Sequence, residues 1–193
     1  MKRFELYAGV NGAGKTTLYQ IQNTKNLPRV NTDEIVVELG LDWRSSDAQR
    51  RAGKISIEKI KNYIREGISF NQETTLAGRT IKKQIKEMKK QGYQIYLYYV
   101  GVSEPKIAVE RVKYRVKQGG HGIPEDDIYR RYERSLQNLI EIAPFCDQIE
   151  IYDNSNYYHL AYLKDKKGVF VQSNQTFQWS EKVMNQLANI SLL

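Results

Sequence analysis

The chain holds one cysteine, Cys146, in 193 residues. A lone thiol excludes an internal disulfide framework and any cysteine-based metal cluster. No apolar run approaches the roughly 20 residues that a membrane-spanning helix needs, so no membrane partner is expected. The opening Met1-Lys2-Arg3-Phe4 is basic, but Glu5 interrupts it before an apolar signal core can form, which makes the cytoplasm the expected compartment. Repeats, low-complexity tracts and linkers are missing as well. A single domain over residues 1–193 is therefore expected, with a core over about 1–155 and a distinct closing part over about 156–193.

What is present begins with Gly9-Val10-Asn11-Gly12-Ala13-Gly14-Lys15-Thr16, which fits the phosphate-loop pattern G-x-x-x-x-G-K-[ST] in full. Phe4 to Ala8 reads as the strand feeding it, and Thr17-Leu18-Tyr19-Gln20-Ile21 as the first turns of the helix leaving it. Glycines let the backbone curl until successive N–H groups point at phosphate oxygens, and the helix N-terminus adds partial positive charge. Lys15 would reach the β- and γ-phosphates, and the Thr16 hydroxyl would ligand Mg²⁺. An Asp-Glu pair at a strand end, as hydrolytic motor ATPases use, is missing, and Val102-Ser103-Glu104 is a weak substitute. A guanine-specific motif is missing too. Both absences favour a small kinase over a motor or a GTPase switch.

Positive charge exceeds negative by +8. Surplus cations suit either a nucleic-acid surface or an enzyme that handles phosphates. Much of the excess lies in Lys82–Lys90, which reads as a solvated helix face, and in Arg111–Arg134. Nucleic acid is not the expected partner.

Apolar runs alternate with helical stretches, the pattern of a parallel sheet wrapped by helices. Strands are expected over Phe4–Ala8, Arg29–Asn31, Ile68–Asn71, Gln94–Val102 and Gln148–Tyr152. Helices are expected over Lys15–Asn23, Glu34–Leu39, Asp47–Glu66, Thr80–Gln91, Pro105–Lys117 and about Glu125–Ile142, the last stopped by Pro144. Ile81, Ile85 and Met88 keep a helical apolar stripe. Leu160–Lys164 and Gly168–Gln172 flank Asp165-Lys166-Lys167 as a hairpin, and Phe177–Leu192 reads as a closing helix. The glycine-rich Lys117–Pro124 segment lies between two arginine-rich helices, where a lid over bound phosphates would sit.

Ligands of an open parallel sheet bind outside the carboxyl ends of its strands. Val30-Asn31-Thr32-Asp33 puts an acid there. Asp33 either takes a proton from an attacking hydroxyl, holds a magnesium-bound water, or caps the next helix. Glu73, in Asn71-Gln72-Glu73-Thr74-Thr75-Leu76-Ala77-Gly78, is a second such acid, and with Thr74 it suits a polyhydroxylated acceptor. The competing reading makes Thr74 or Thr75 a helix cap. Arg111 and Arg115 share a helix face, and Arg130, Arg131 and Arg134 lie on the return helix. They bind phosphate or pair with Glu110, Glu125 and Glu133. His121 either donates to a phosphate or stands in solvent.

These motifs, with Gly101-Val102-Ser103, the run Arg111 to Pro124, its continuation Arg130-Arg131-Tyr132, and Tyr152-Asp153-Asn154-Ser155, resemble the zeta-toxin family in its short members, over about residues 4–155. The resemblance implies an α/β three-layer P-loop kinase fold with a mostly parallel central sheet, a helical lid and a C-terminal hairpin plus helix. It implies transfer of the ATP γ-phosphoryl group, with ATP and Mg²⁺ as cofactors, to a hydroxyl of a small molecule, which in the larger toxins is a UDP-activated sugar. Carried over by motif, residues Gly9, Val10, Asn11, Gly12, Ala13, Gly14, Lys15, Thr16 and Thr17 hold the nucleotide, and Arg111 lies against the adenine. Asp33 resembles the general base. Arg115 and Arg131 resemble the clamp on the transferring phosphate, with Arg130 as the alternative in helix register. Glu73 and Thr74, with His121, fall on the acceptor side. An antitoxin is the partner the family implies, although no antitoxin segment is visible in the chain. The remaining readings are a nucleoside or polynucleotide kinase and a non-catalytic, ATP-responsive binding module.

Overall fold

Parallel strands dominate the sheet because each early strand is followed by a helix that returns the chain to the same end of the sheet. The structure is a computed structural model, and it describes residues 1–22, 27–165, 168–170, 179, 181, 183 and 185–187. Strands β1 (Lys2–Ala8), β2 (Arg29–Val30), β3 (Phe70–Thr74), β4 (Tyr93–Gly101) and β5 (Gln148–Asp153) pair in parallel. Strands β6 (His159–Asp165) and β7 (Gly168–Phe170) add antiparallel, giving the order β2-β3-β1-β4-β5-β6-β7. The hairpin is thus present; its turn residues 166 and 167 lie outside the described residues, as do 171 and 172 of its expected second strand.

Period-2 alternation in β1 sends Phe4, Leu6 and Ala8 into one apolar cluster and Tyr7 into the other. The first cluster packs against α2 (Thr32–Glu38), α3 (Ser46–Glu66), α4 (Ile81–Lys90) and the end of α6 (Glu125–Ile142). The expected stripe of α4 is fully engaged there, with Ile81, Ile85 and Met88 buried. The second cluster packs against α1 (Lys15–Gln22) through Leu18 and against α5 (Pro105–Lys117) through Val109 and Val112. Helices on both faces give the three layers that the alternating pattern anticipates. Position 23 of the first expected helix lies outside the described residues.

Of the element boundaries that differ from the sequence expectation, those of the second and third strands matter for the site. The third strand begins at Phe70 instead of Ile68 because α3 ends in a left-handed Gly67 (φ +69°), whose turn consumes the next residues: the Ile68 N–H donates to the Tyr63 carbonyl at 2.9 Å. The strand therefore runs on through Thr74, in register with Tyr7↔Glu73 and Ala8↔Thr74. The second strand stops at Val30, since Asn31 already serves as the N-cap of α2. Pro144 falls in a short 3₁₀ turn, Ala143–Phe145, directly after α6.

Of the expected closing helix, positions 179, 181, 183 and 185–187 are helical and the rest lie outside the described residues. Trp179 anchors it: its indole N–H donates to Asp153 at 2.6 Å, and its ring covers Gly101, where a Cβ would come within 2.1 Å. Burial pushes the Cys146 thiol up to about 12, so it is a packing residue without thiolate reactivity. Among the described residues no helix is long and apolar enough to cross a membrane.

Candidate functional site

A cavity of about 830 Å³ opens at the carboxyl ends of the parallel strands. Its floor is the loop after β1. Gly9, Gly12 and Gly14 adopt φ of +139°, +83° and +106°, conformations that L side chains rarely take. Space forbids a side chain as well: a Cβ on Gly9 would sit 2.1 Å from the Val100 carbonyl oxygen, and one on Gly12 would sit 2.5 Å from that of Ala108. Two residues outside the loop clamp it from the segment after β5. The Asn154 side chain donates to the Ala13 carbonyl at 2.8 Å, and the Tyr158 hydroxyl donates to the Gly14 carbonyl at 2.5 Å.

Lys15 is 7% exposed and donates to the Val10 carbonyl at 3.1 Å. Burial lowers its pKa, as do Arg115 and Arg131, while Glu73 and Asp33 pull the other way. Such a desolvated ammonium gains most when a phosphate oxygen arrives. The Thr16 hydroxyl donates to both carboxylate oxygens of Glu73 at 3.0 Å, leaving its oxygen lone pairs for a hard cation.

Glu73 lines the cavity from the carboxyl strand end expected for it. At the end of β3, beside β1, it faces the phosphate loop, 3.9 Å from Lys15. It also accepts from Arg29 at 2.5 Å and from the Asn31 amide at 3.2 Å. Thr74 is not among the cavity residues; its hydroxyl accepts from the Leu76 N–H at 3.2 Å, stabilising a turn in which Leu76 takes φ +59°. Nor does Thr80 make a side-chain cap for α4.

For Asp33 the helix-cap alternative is removed. Asn31 is the cap, its side-chain oxygen accepting from the Asp33 N–H at 3.0 Å. The Asp33 carboxylate is left to line the cavity, 36% exposed, with His121 Nε2 at 2.7 Å from Oδ2. Burial alone would raise the Asp33 carboxyl, but His121, Lys15 and Arg115 outweigh it and hold the pKa below the ordinary aspartate value. His121 thus rests on the acid, neither free in solvent nor on the phosphate loop.

The Lys117–Pro124 segment carries His121 to this contact. The His121 carbonyl accepts from Arg115 Nε at 2.8 Å, and a Cβ on Gly122 would lie 3.0 Å from the Trp43 ring. Arg115 lines the cavity with one buried guanidinium nitrogen, Nη2, lacking a hydrogen-bond partner. Arg111 lines it too; it donates to the Ser155 carbonyl at 3.1 Å, and its Nη1 is buried without a hydrogen bond. Arg131 donates to the Asn11 side chain at 3.2 Å and thereby touches the phosphate loop. Arg130 is not brought to the site: it is exposed and pairs with Asp127 one turn earlier, because adjacent helix positions diverge by about 100°. The helix register that sequence left open between Arg130 and Arg131 is decided by packing.

Sequence reasoning missed Arg29, Asn31, Asn154 and Tyr158. Asn31 and Asn154 sit inside quoted motifs, so a search for partners of the loop carbonyls and the helix cap would have found them. Arg29 carries no motif signal.

The family model described as zeta toxin matches residues 2–165. An uncharacterized protein of Haemophilus influenzae is 34% identical over 127 residues, 65% of this chain and 89% of that protein. A structure from the PezAT chromosomal toxin–antitoxin system of Streptococcus pneumoniae superposes with a TM-score of 0.64 at 17% identity, covering 98% of this chain and 84% of that chain. The AvrRxo1-ORF1:-ORF2 structure with ATP gives a TM-score of 0.71 at 14% identity and covers 96% of this chain but 63% of that one. At such identities the two superpositions speak for the fold.

Proposed function

The chain belongs to the zeta toxin family, and with it to the P-loop kinases, and from that premise we propose transfer of the ATP γ-phosphoryl group to a hydroxyl of a polyhydroxylated small molecule. One observation carries the reading. Asp33, freed from capping by Asn31, lines the same cavity as Lys15, Thr16 and Arg115. An acid there has the acceptor hydroxyl to serve, because the phosphate loop needs no base to hold a nucleotide.

In the step itself the acceptor oxygen forms a bond to the γ-phosphorus as the bond from that phosphorus to the β–γ bridging oxygen breaks, and ADP leaves. The proton of the hydroxyl passes to Asp33, whose lowered pKa keeps it ionised and ready at neutral pH. Lys15 and Arg115 spread positive charge over the transferring group, and Arg131 supports them from α6 through the Asn11 side chain. Buried donors without partners on Arg111 and Arg115 fit an anionic guest. Thr16 and Glu73 suit Mg²⁺, which when bound with ATP offsets charge on the phosphates.

A UDP-activated sugar heads the acceptor panel on family grounds, and a small antitoxin-type protein is the partner to look for. The decisive experiment incubates the protein with labelled ATP and a metabolite extract and identifies the labelled product. Transfer to an organic hydroxyl supports the reading; label found only in inorganic phosphate sinks it.

A further inference from the structure

Arg29 begins β2, outside every motif, and its side chain is 12% exposed. All of its guanidinium nitrogens are engaged. Nε donates to Glu34 at 2.9 Å, Nη1 to Asn71 at 3.2 Å and Nη2 to Glu73 at 2.5 Å. Its plane lies over the Tyr19 ring, 3.8 Å from the centroid. One side chain thus touches the strand that carries Glu73, the helix that carries Asp33 and the helix that carries Thr16.

The consequence turns on Glu73, whose side chain is 9% exposed. A carboxylate buried that deeply must be paired. It has two cations in reach, Arg29 at 2.5 Å and Lys15 at 3.9 Å. With Arg29 holding one oxygen, Glu73 stays on the Thr16 hydroxyl and meets the Lys15 ammonium only at 3.9 Å, the outer limit of an ion pair. Without Arg29, the carboxylate would close on Lys15, its other cation, and the group that should meet the nucleotide would be tied to it more tightly. A lysine at position 29 could not substitute, since a single ammonium lacks the planar fork that serves Glu34, Asn71 and Glu73 together.

We infer that Arg29 is a positioning residue for the metal–phosphate end of the site, holding Glu73 on the Thr16 hydroxyl and keeping it from closing on the Lys15 ammonium. The inference rests on the reading that Thr16 and Glu73 receive Mg²⁺ with ATP. Its test is equilibrium binding of a non-hydrolysable ATP analogue, with and without Mg²⁺, to wild type, Arg29→Ala, Arg29→Lys, Glu73→Gln and the Arg29→Ala/Glu73→Gln double variant. The strengthening of binding by Mg²⁺ should fall about 10-fold or more in Arg29→Ala and Arg29→Lys, the size of effect seen when a group that orients a metal ligand is lost. Free guanidinium at millimolar concentration should restore part of it in Arg29→Ala. Because Arg29 acts through Glu73, the same change in the Glu73→Gln background should alter the Mg²⁺ effect by less than about twofold. A Mg²⁺ effect unchanged in both single Arg29 variants, or lost equally with and without Glu73, would overturn the inference. Failure of the wild-type chain to bind the analogue at all would instead remove the kinase reading, and the inference with it.

Discussion

Replacing Asp33 by Asn exchanges a proton acceptor for a neutral amide of nearly the same shape. A positioned general base contributes about 10²- to 10⁴-fold in rate, equivalent to about 2.7–5.5 kcal/mol of barrier. The cost to the fold is much smaller. Asn31 makes the capping bond of α2, so that bond survives. What disappears is a first-turn negative charge, about 0.3–1 kcal/mol at most, and the contact with His121, which at 36% exposure of Asp33 is worth about 0–1 kcal/mol after solvent screening. The two together stay under about 2 kcal/mol, a fall in Tm of roughly 8 °C or less for a chain of this size. Single-turnover transfer, ATP binding and melting should therefore separate cleanly, with transfer lost and the other two nearly kept. Asp33→Ala sharpens the test, because alanine is the better helix former and should melt no lower than the asparagine variant. Unchanged turnover in Asp33→Asn would remove the base assignment. An alanine variant melting well below the asparagine one would return Asp33 to the role of helix cap.

Arg131→Ala should lower transfer by about 10²-fold or more, whereas Arg130→Ala, which loses an exposed ion pair, should stay within about twofold; equal losses would contradict the helix register seen here. Gly14→Ala forces a side chain at φ +106° to within 2.3 Å of the Tyr158 hydroxyl and 2.5 Å of the Asn154 amide, so ATP affinity measured by titration should fall about 10-fold or more, from strain of roughly 1–3 kcal/mol. Gly40→Ala, at φ +63° with nothing within 4 Å of its Cβ, should leave that affinity unchanged. With its folded pKa below the unfolded value near 3.9, Asp33 stabilises the fold fully above that unfolded value and loses the contribution as pH falls through the lowered folded value. The difference in Tm between wild type and Asp33→Asn should thus be level near neutral pH and shrink below about pH 4; a difference that widens on acidification would show the shift to have the opposite sign.

Much of the site's donor half was legible because it is local. The loop from Gly9 to Thr16, its flanking strand and its helix are contiguous in the chain, and the chemistry of phosphate binding needs those residue types at that spacing. The helices from Pro105 and Glu125 were legible to their last residues through a proline at the start of one and an apolar stripe ending at a proline in the other. Arg130 against Arg131 was not, since adjacent positions on a helix differ only in which one the packing turns inward. Glu73 was visible as an acid at a strand end, but its strand begins and ends later than its apolar residues suggest, because the left-handed turn at Gly67 delays it.

Sequence alone determined that this chain folds as an α/β P-loop kinase with an acid after the second strand and arginines on either side of a glycine-rich segment. Tertiary structure decided who pairs with whom. Asn31 took the cap and released Asp33, His121 settled on Asp33, and Arg29, silent in the sequence, paired with Glu73. Spacing along a chain fixes what a segment can bind through its own backbone. Competition among buried charges from β1, β2, β3 and the lid is settled only once the sheet has brought them within a few ångströms of one another.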